Sequence, residues 1–200
     1  MTEDLVALGA DAARLCFGRN ASDPTYSAYH DNEWGRPVHD ETALFERLAL
    51  EGFQVGLSWR TVLNKRAAFR EAFSGFDPTA VAAFDDTAVD ALMTNPGIIR
   101  NQAKIRACIQ GARALLDMHR RGETLAAAIW GLAPKTHVRP TPQSRPSTSE
   151  ESVALAVALR KLGFRFVGPV NAYATMQACG VVNDHVVGCP IGDAIDDANC

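Results

Sequence analysis

The 200-residue sequence has no apolar run near the roughly 18 residues that a membrane-spanning helix needs, and its opening stretch, MTEDLVALGADAARL, carries acids where a secretory leader would carry Lys or Arg. A cytoplasmic protein without membrane attachment is expected. Cysteine is scarce and irregularly placed: Cys16, Cys108, Cys179, Cys189 and Cys200 share no even spacing. That excludes a small cystine-stapled scaffold and favours free thiols or metal ligands in a reducing compartment. A chain of this length can bury roughly 70% of its unfolded surface, so it needs no staples. No period-two strand pattern and no internal repeat appear, so a nearly all-α chain is expected. Positive charge is also short, 20 Lys+Arg against 23 Asp+Glu, which argues against a polyanion binder of the histone kind.

The overall charge of −3 hides an asymmetry. Residues 1–99 hold 8 Lys+Arg against 15 Asp+Glu, whereas residues 100–170 hold 12 against 4. The second region can present a basic face to a phosphate backbone, although a solvated helical surface explains such a run equally well.

Apolar residues recur at helical intervals from Asp40 through Phe73, with Leu44, Phe45 and Leu48 before a Gly-containing break and Val62, Leu63, Phe69 and Phe73 after it. Asp77-Pro78 places a cap and then proline at a first helical position, opening a short helix through Phe84. Asp85 or Asp86 starts another helix. Thr94–Arg100 breaks it around Gly97, and a longer helix from about Asn101 to Arg121 follows, so two helices joined by a tight turn are expected. A short helix, Glu123–Trp130, leads into the proline-rich stretch Pro134–Ser149, read as an exposed loop. Ser147 and Thr148 ahead of Glu150 and Glu151 offer two overlapping capping boxes for a helix ending near Leu162, and a last helix spans about Val170–Cys179.

Three groups of residues could carry chemistry. His185 and Cys189 lie four apart, and Cys16 with His30 supplies a second thiol–imidazole pair. Together they form a Cys2His2 set suited to tetrahedral zinc, although two buried thiols and two hydrogen-bonded histidines would use the same letters. Four protein ligands leave no open position for an activated water, so such a site would be structural. In Leu50-Glu51-Gly-Phe-Gln-Val-Gly-Leu-Ser-Trp59 a carboxylate at the end of an apolar helix precedes two glycines and an indole, after an aromatic group of Tyr26, Tyr29 and Trp34. An acid among rings suits a flat, cationic or N–H-rich ligand; each ring alone is equally a core residue. In the turn Asn95–Arg100, Gly97 permits close backbone approach, the amides opening the next helix can meet a phosphate oxygen, and Arg100 and Lys104 stand beside it; a generic helical hairpin is the alternative.

Four strings carry a resemblance: Asp23-Pro-x-Tyr26-x-x-Tyr29-His30-Asp-x-x-Trp34-Gly35, Leu50-Glu51-x-x-x-x-Gly56-Leu-Ser-Trp59, Gly163-Phe-x-Phe-Val-Gly168 and Met176-Gln-Ala-Cys-Gly-x-Val-Asn-Asp-His185-x-x-x-Cys189. From about Cys16 to Cys189 the chain closely resembles the 3-methyladenine DNA glycosylase I family. The resemblance implies the two-lobed, all-α fold of the helix-hairpin-helix glycosylases, with the lesion pocket between the lobes. It further implies a structural zinc clasp made by Cys16, His30, His185 and Cys189, base recognition by Glu51, Tyr29 and Trp59, and Tyr26, Trp34 and Tyr173 as neighbours. Some members carry a pocket-wall tryptophan two residues after the first zinc cysteine; this chain has Cys16-Phe17-Gly18, so either Phe17 takes that place or the wall is thinner. The turn around Gly97 becomes the DNA-binding hairpin.

The expected organisation is an N-terminal extension over 1–15, a single glycosylase unit over 16–189 with its hairpin lobe at about 77–131, and an acidic tail over 190–200. The activity implied is monofunctional base excision repair, in which a monomer releases 3-methyladenine from alkylated double-stranded DNA. An adenine alkylated at N3 is already cationic and leaves readily, so the protein's task is to extrude the nucleotide and prefer a charged base to a neutral one. Glu51 would accept hydrogen bonds from that base while Trp59 stacks on it and Tyr29 closes another side. No catalytic aspartate is expected, since Asp117 falls within a long helix and Asp184 adjoins a zinc ligand. The competing classes are a non-catalytic zinc-clasped DNA-binding module and a zinc hydrolase.

Overall fold

The computed structural model describes residues 12–198. Within them the chain is helical, and no strand occurs among the described residues beyond one isolated bridge between Thr141 and Ser144. Of the expected N-terminal extension, residues 1–11 lie outside the described residues, whereas residues 12–17 are helical and run into a 3-10 turn at Gly18–Ser22.

Short polar side chains start most of the helices. In α1 (Pro24–Asn32), α2 (Glu41–Gln54) and α3 (Trp59–Leu63), the caps Asp23, Asp40 and Ser58 accept hydrogen bonds from first-turn amides. α4 (Arg66–Ala72) and a 3-10 turn at Ser74–Phe76 follow. Asp77 then caps α5 (Pro78–Ala82), with Pro78 at a first-turn position where no amide is needed. Asp85 caps α6 (Asp86–Thr94), Asn101 caps α7 (Gln102–Arg120) and Thr124 caps α8 (Leu125–Trp130). α9 (Glu150–Leu162) opens on a reciprocal pair between Ser149 and Ser152. The capping boxes expected from Ser147 and Thr148 do not form, because Ser152 rather than an acid answers the cap amide. α10 (Pro169–Ala178) and α11 (Pro190–Ala198) complete the fold.

Two apolar clusters organise these helices. The larger contains Phe45, Phe53, Phe69, Phe73 and Phe76, together with the apolar faces of α7, α8, α9 and α10. α5 packs on α7, and α9 on α10. Phe73 and Phe76 stack with centroids 5.6 Å apart at an interplanar angle of 6°. The smaller cluster draws on both ends of the chain: Ala12, Cys16, Tyr26, Tyr29 and Trp34 meet Val186, Cys189, Ile191 and Ile195. Trp59 packs against both clusters.

The segment expected as an acidic tail is largely the helix α11. Ile191 and Ile195, four residues apart on one face, are buried beside Cys189, each contributing on the order of 2 kcal/mol of burial. Asp193 and Asp196 are spent on Arg139, whose guanidinium lies 2.5 and 3.1 Å from their carboxylates. Arg139 also donates to the carbonyls of His185, Val186 and Cys189. The proline-rich stretch faces solvent over most of its length, as expected. Arg139 and Arg145 nevertheless tie it down, the latter by donating to the carbonyls of Leu15 and Cys16. No helix among the described residues is long and apolar enough to cross a membrane.

Candidate active site

A cavity of about 220 Å³ opens where the two clusters meet. Its wall includes Glu51 from α2, Tyr26 and Tyr29 from α1, Trp34 after it, Trp59 from the start of α3, and Phe17. On α1 the three- and four-residue spacings of Tyr26, Tyr29 and His30 put all three on one buried face. The rings brace one another: Phe17 lies edge-on to Tyr26 at 4.9 Å, and Tyr29 sits 5.4 Å from Trp59. Arg66, paired through both guanidinium nitrogens with Glu33, lies 5.9 Å over the Tyr29 ring from behind.

Glu51 is the electrostatic centre of this space. Only 4% of its surface is exposed, and its Oε2 has no hydrogen-bond partner among the described residues. Burial pushes its carboxyl up to about 8, because the charged form loses water and gains nothing in return. The indole Nε1 of Trp59 is similarly buried and unpartnered. Burial, and then the charge of Glu51, hold the Tyr29 phenol well above its usual range. A buried acceptor and a buried donor without partners each cost free energy, so both mark places where a ligand supplies the missing bonds.

Tyr173, expected beside these residues, does not line the cavity; its hydroxyl donates to Asp184 at 2.8 Å. Gln54, Arg145, Gln177 and Asp184 do line it and carry no expected role. Asp184 and Gln177 stand within the last of the four strings, beside the expected metal ligands, where the letters give no sign that the fold turns them to the cavity.

At one edge of the same space, Cys16, His30 and Cys189 bring their ligand atoms within 4.8 Å of one another, all buried. His30 Nε2 lies 3.7 Å from Cys189 Sγ, while its Nδ1 meets Asp31 Oδ1 at 2.6 Å. His185 is adjacent, its ring 4.6 Å from that of His30, with Nδ1 at 2.9 Å from Asn183 Oδ1 and Nε2 at 3.4 Å from the His30 carbonyl. Each imidazole thus gives Nδ1 to an oxygen and keeps Nε2 for another partner, the arrangement of metal-binding histidines. Burial, with His30 beside it, pushes His185 down to about 4 and keeps it neutral. The two sulfurs share a hydrogen bond that raises Cys16 and lowers Cys189, leaving thiolate character on Cys189. The donor set therefore fits a metal ion. Gly35 makes room for the His185 ring: at φ +74° it is left-handed, and a Cβ there would come 2.8 Å from His185 Cε1.

The expected tight turn joins α6 and α7. Gly97 donates to Asn95 Oδ1 at 2.8 Å, and a Cβ on it would come 2.9 Å from Ala68 Cβ, so its lack of a side chain serves packing against α4. Arg100 is exposed beside the turn. Lys104 is not available there. It is only 7% exposed, and its ammonium turns inward to donate to the carbonyls of Phe53 at 2.9 Å and Val55 at 2.5 Å. These carbonyls end α2 and have no intrahelical donor, which draws the cation inward and corrects the expectation of a phosphate contact.

Residues 19–192 match the model of the methyladenine glycosylase family. The chain belongs to this family. The DNA-3-methyladenine glycosylase 1 of Escherichia coli K12 is 48% identical over 172 residues, covering 84% of this chain and 92% of that protein. The DNA-3-methyladenine glycosylase of Haemophilus influenzae is 45% identical over 168 residues, 82% of this chain and 91% of its own. Among solved structures, a 3-methyladenine DNA glycosylase I from Staphylococcus aureus, described for its recognition of 3-methyladenine, superposes with a TM-score of 0.85 at 33% identity over 90% of this chain and 97% of that one. This member of the methyladenine glycosylase family thus shares the helical architecture of a solved relative across most of its length.

Proposed function

We propose that this glycosylase hydrolyses the N-glycosidic bond of 3-methyladenine in alkylated double-stranded DNA, releasing the free base and leaving an abasic site. Membership of the family supports the reading, and the observation that carries it is Glu51, buried and unpartnered on the wall of a ring-lined cavity. A cationic base entering there meets the carboxylate, so the charge that burial alone disfavours becomes favourable once the ligand arrives. Trp59 and Tyr29 enclose the planar base, with Tyr26, Trp34 and Phe17 completing the wall. Neutral adenine gains less from the same wall and must still be unstacked, so selectivity arises from charge.

Cys16, His30, His185 and Cys189 form the Cys2His2 donor set of a structural zinc clasp that joins the N- and C-terminal regions. Bound zinc supplies folding free energy and no chemistry to the reaction, because all four positions are filled by protein. In this reading the turn from Asn95 to Arg100 is the helix-hairpin-helix element: its backbone approaches phosphate near Gly97, and Arg100 adds charge within the basic stretch of residues 100–170. The enzyme acts as a monomer in the cytoplasm. Incubating the protein with methylated DNA and separating the released bases tests the reading: free 3-methyladenine supports it, and intact methylated DNA after exhaustive incubation rejects it. Binding without release would favour a non-catalytic DNA-binding module.

A further inference from the structure

Glu51 and the rings form one side of the cavity, and Gln177 and Asp184 stand on its wall as well. Asp184 is 4% exposed and surrounded by donors. Its Oδ2 accepts from Tyr173 Oη at 2.8 Å and from Gln177 Nε2 at 2.7 Å, and its Oδ1 lies 2.8 Å from His137 Nε2. A carboxylate can only accept, so the Gln177 amide must turn its NH2 group toward Asp184; the reversed amide would set two acceptors against each other. The branch left over is Oε1, which accepts no hydrogen bond among the described residues and is not sealed in the interior. The backbone is pinned as well, since the Gln177 carbonyl accepts from the Gly35 amide at 3.0 Å. A half-buried glutamine held at both ends thus offers one free acceptor on the cavity wall.

We propose that Gln177 determines specificity in this pocket, its Oε1 accepting a hydrogen bond from the exocyclic amino group of the extruded adenine, with Asp184 as the residue that positions it. The inference rests on the functional reading above and adds the edge by which the base is read. In adenine alkylated at N3 the positive charge spreads onto the amino group and strengthens its N–H bonds as donors. A purine with an oxo group at the same position turns an acceptor toward Oε1 and is repelled, and a site built around a hydrogen bond discriminates strongly against the analogue that cannot form it.

The test compares free 3-methyladenine with 3-methylhypoxanthine, its 6-oxo counterpart, by quenching of tryptophan fluorescence, alongside release of 3-methyladenine from methylated DNA. The wild-type protein is expected to favour the amino base. Gln177→Met, which keeps the length of the side chain but removes the acceptor, lowers that preference by roughly fivefold, the scale of one neutral hydrogen bond. Asp184→Asn frees the amide to reverse and lowers the preference by severalfold; it carries the test should Gln177→Met fail to fold, with melting temperature and metal content measured in parallel. An unchanged amino-over-oxo preference in a folded Gln177→Met or Asp184→Asn protein overturns the inference. Wild-type release of 3-methyladenine without any such preference overturns it alone, whereas no release at all overturns the functional reading on which it rests.

Discussion

The two apolar clusters reach stability by different routes. The larger is a conventional core, with five phenylalanines almost completely buried among leucines and isoleucines contributed by many helices. The smaller joins five aliphatic side chains to two tyrosines, a tryptophan and two thiols, with the buried imidazoles of His30 and His185 against them, and it draws on positions more than 150 residues apart, as between His30 and Cys189. A cluster so rich in polar atoms cannot be held by area burial alone, because every buried nitrogen and sulfur needs a partner. A metal ion at Cys16, His30 and Cys189 would supply those partners. The cavity lies where the two clusters meet, so the side rich in thiols and imidazoles bears on the shape of the pocket while the phenylalanine core bears on the stability of the chain.

Metal removal is the strongest way to break this comparison. Chelation, or Cys189→Ser, is expected to loosen the smaller cluster first, with a loss that reflects apparent zinc binding energies on the order of 10 kcal/mol. Calorimetry with and without chelator checks it: wild-type melting temperatures in both the stripped protein and the Cys189→Ser variant would show that the metal does not hold the cluster. In the larger core, Phe73→Ala removes a fully buried ring and should cost about 3–5 kcal/mol of unfolding free energy in denaturant titrations. Because Phe73 does not line the cavity, excision measured well below the transition should change little.

Glu51→Gln sharpens the contrast from the side of the site. Excision of 3-methyladenine is expected to fall by roughly a hundredfold, the scale of losing one preorganised electrostatic partner. Stability moves the other way. The folded carboxyl stands at about 8 against an ordinary value of 4.5, so the contribution of the protonated form is complete below pH 4.5 and is lost as pH rises through about 8. The neutral amide escapes that loss. The variant should melt close to the wild type at pH 5 and higher, by about 3–6 °C, at pH 8.5. Equal melting curves at both pH values would mean that the carboxylate is solvated rather than buried.

What the letters disclosed follows the range of the interactions involved. Helix starts were legible because Asp40, Asp77, Asp85 and Asn101 each bond to an amide two or three residues on. Glu51 and the rings were legible because they sit in short, distinctive strings. Interactions that span the chain were not. Lys104 looked like a surface cation until the open carbonyls of Phe53 and Val55 drew it inward. The acids after Cys189 looked like a solvated tail, and only Arg139, 46 residues before His185, shows why that segment folds back as a helix. Gln177 carries no sequence signal, and Asp184 shows in the sequence only as a neighbour of His185, for the same reason: an amide's orientation depends on a partner chosen by tertiary structure.

The smallest expected effect concerns the face proposed to meet DNA. Arg100 is exposed beside the hairpin and makes no ion pair among the described residues, so Arg100→Ala should leave both clusters intact and the melting temperature unchanged. If it meets a phosphate, its loss weakens binding to methylated and unmethylated duplex alike, by less than roughly tenfold, and reduces the slope of log affinity against log salt by about 1. Lys104→Met is the informative partner variant. With its ammonium bonded to the end of α2, removing the charge should destabilise the protein yet leave the salt slope where it was. A reduced slope for Lys104→Met would mean that this cation leaves the interior when DNA binds, and the division between a structural lysine and a phosphate-facing arginine would fail.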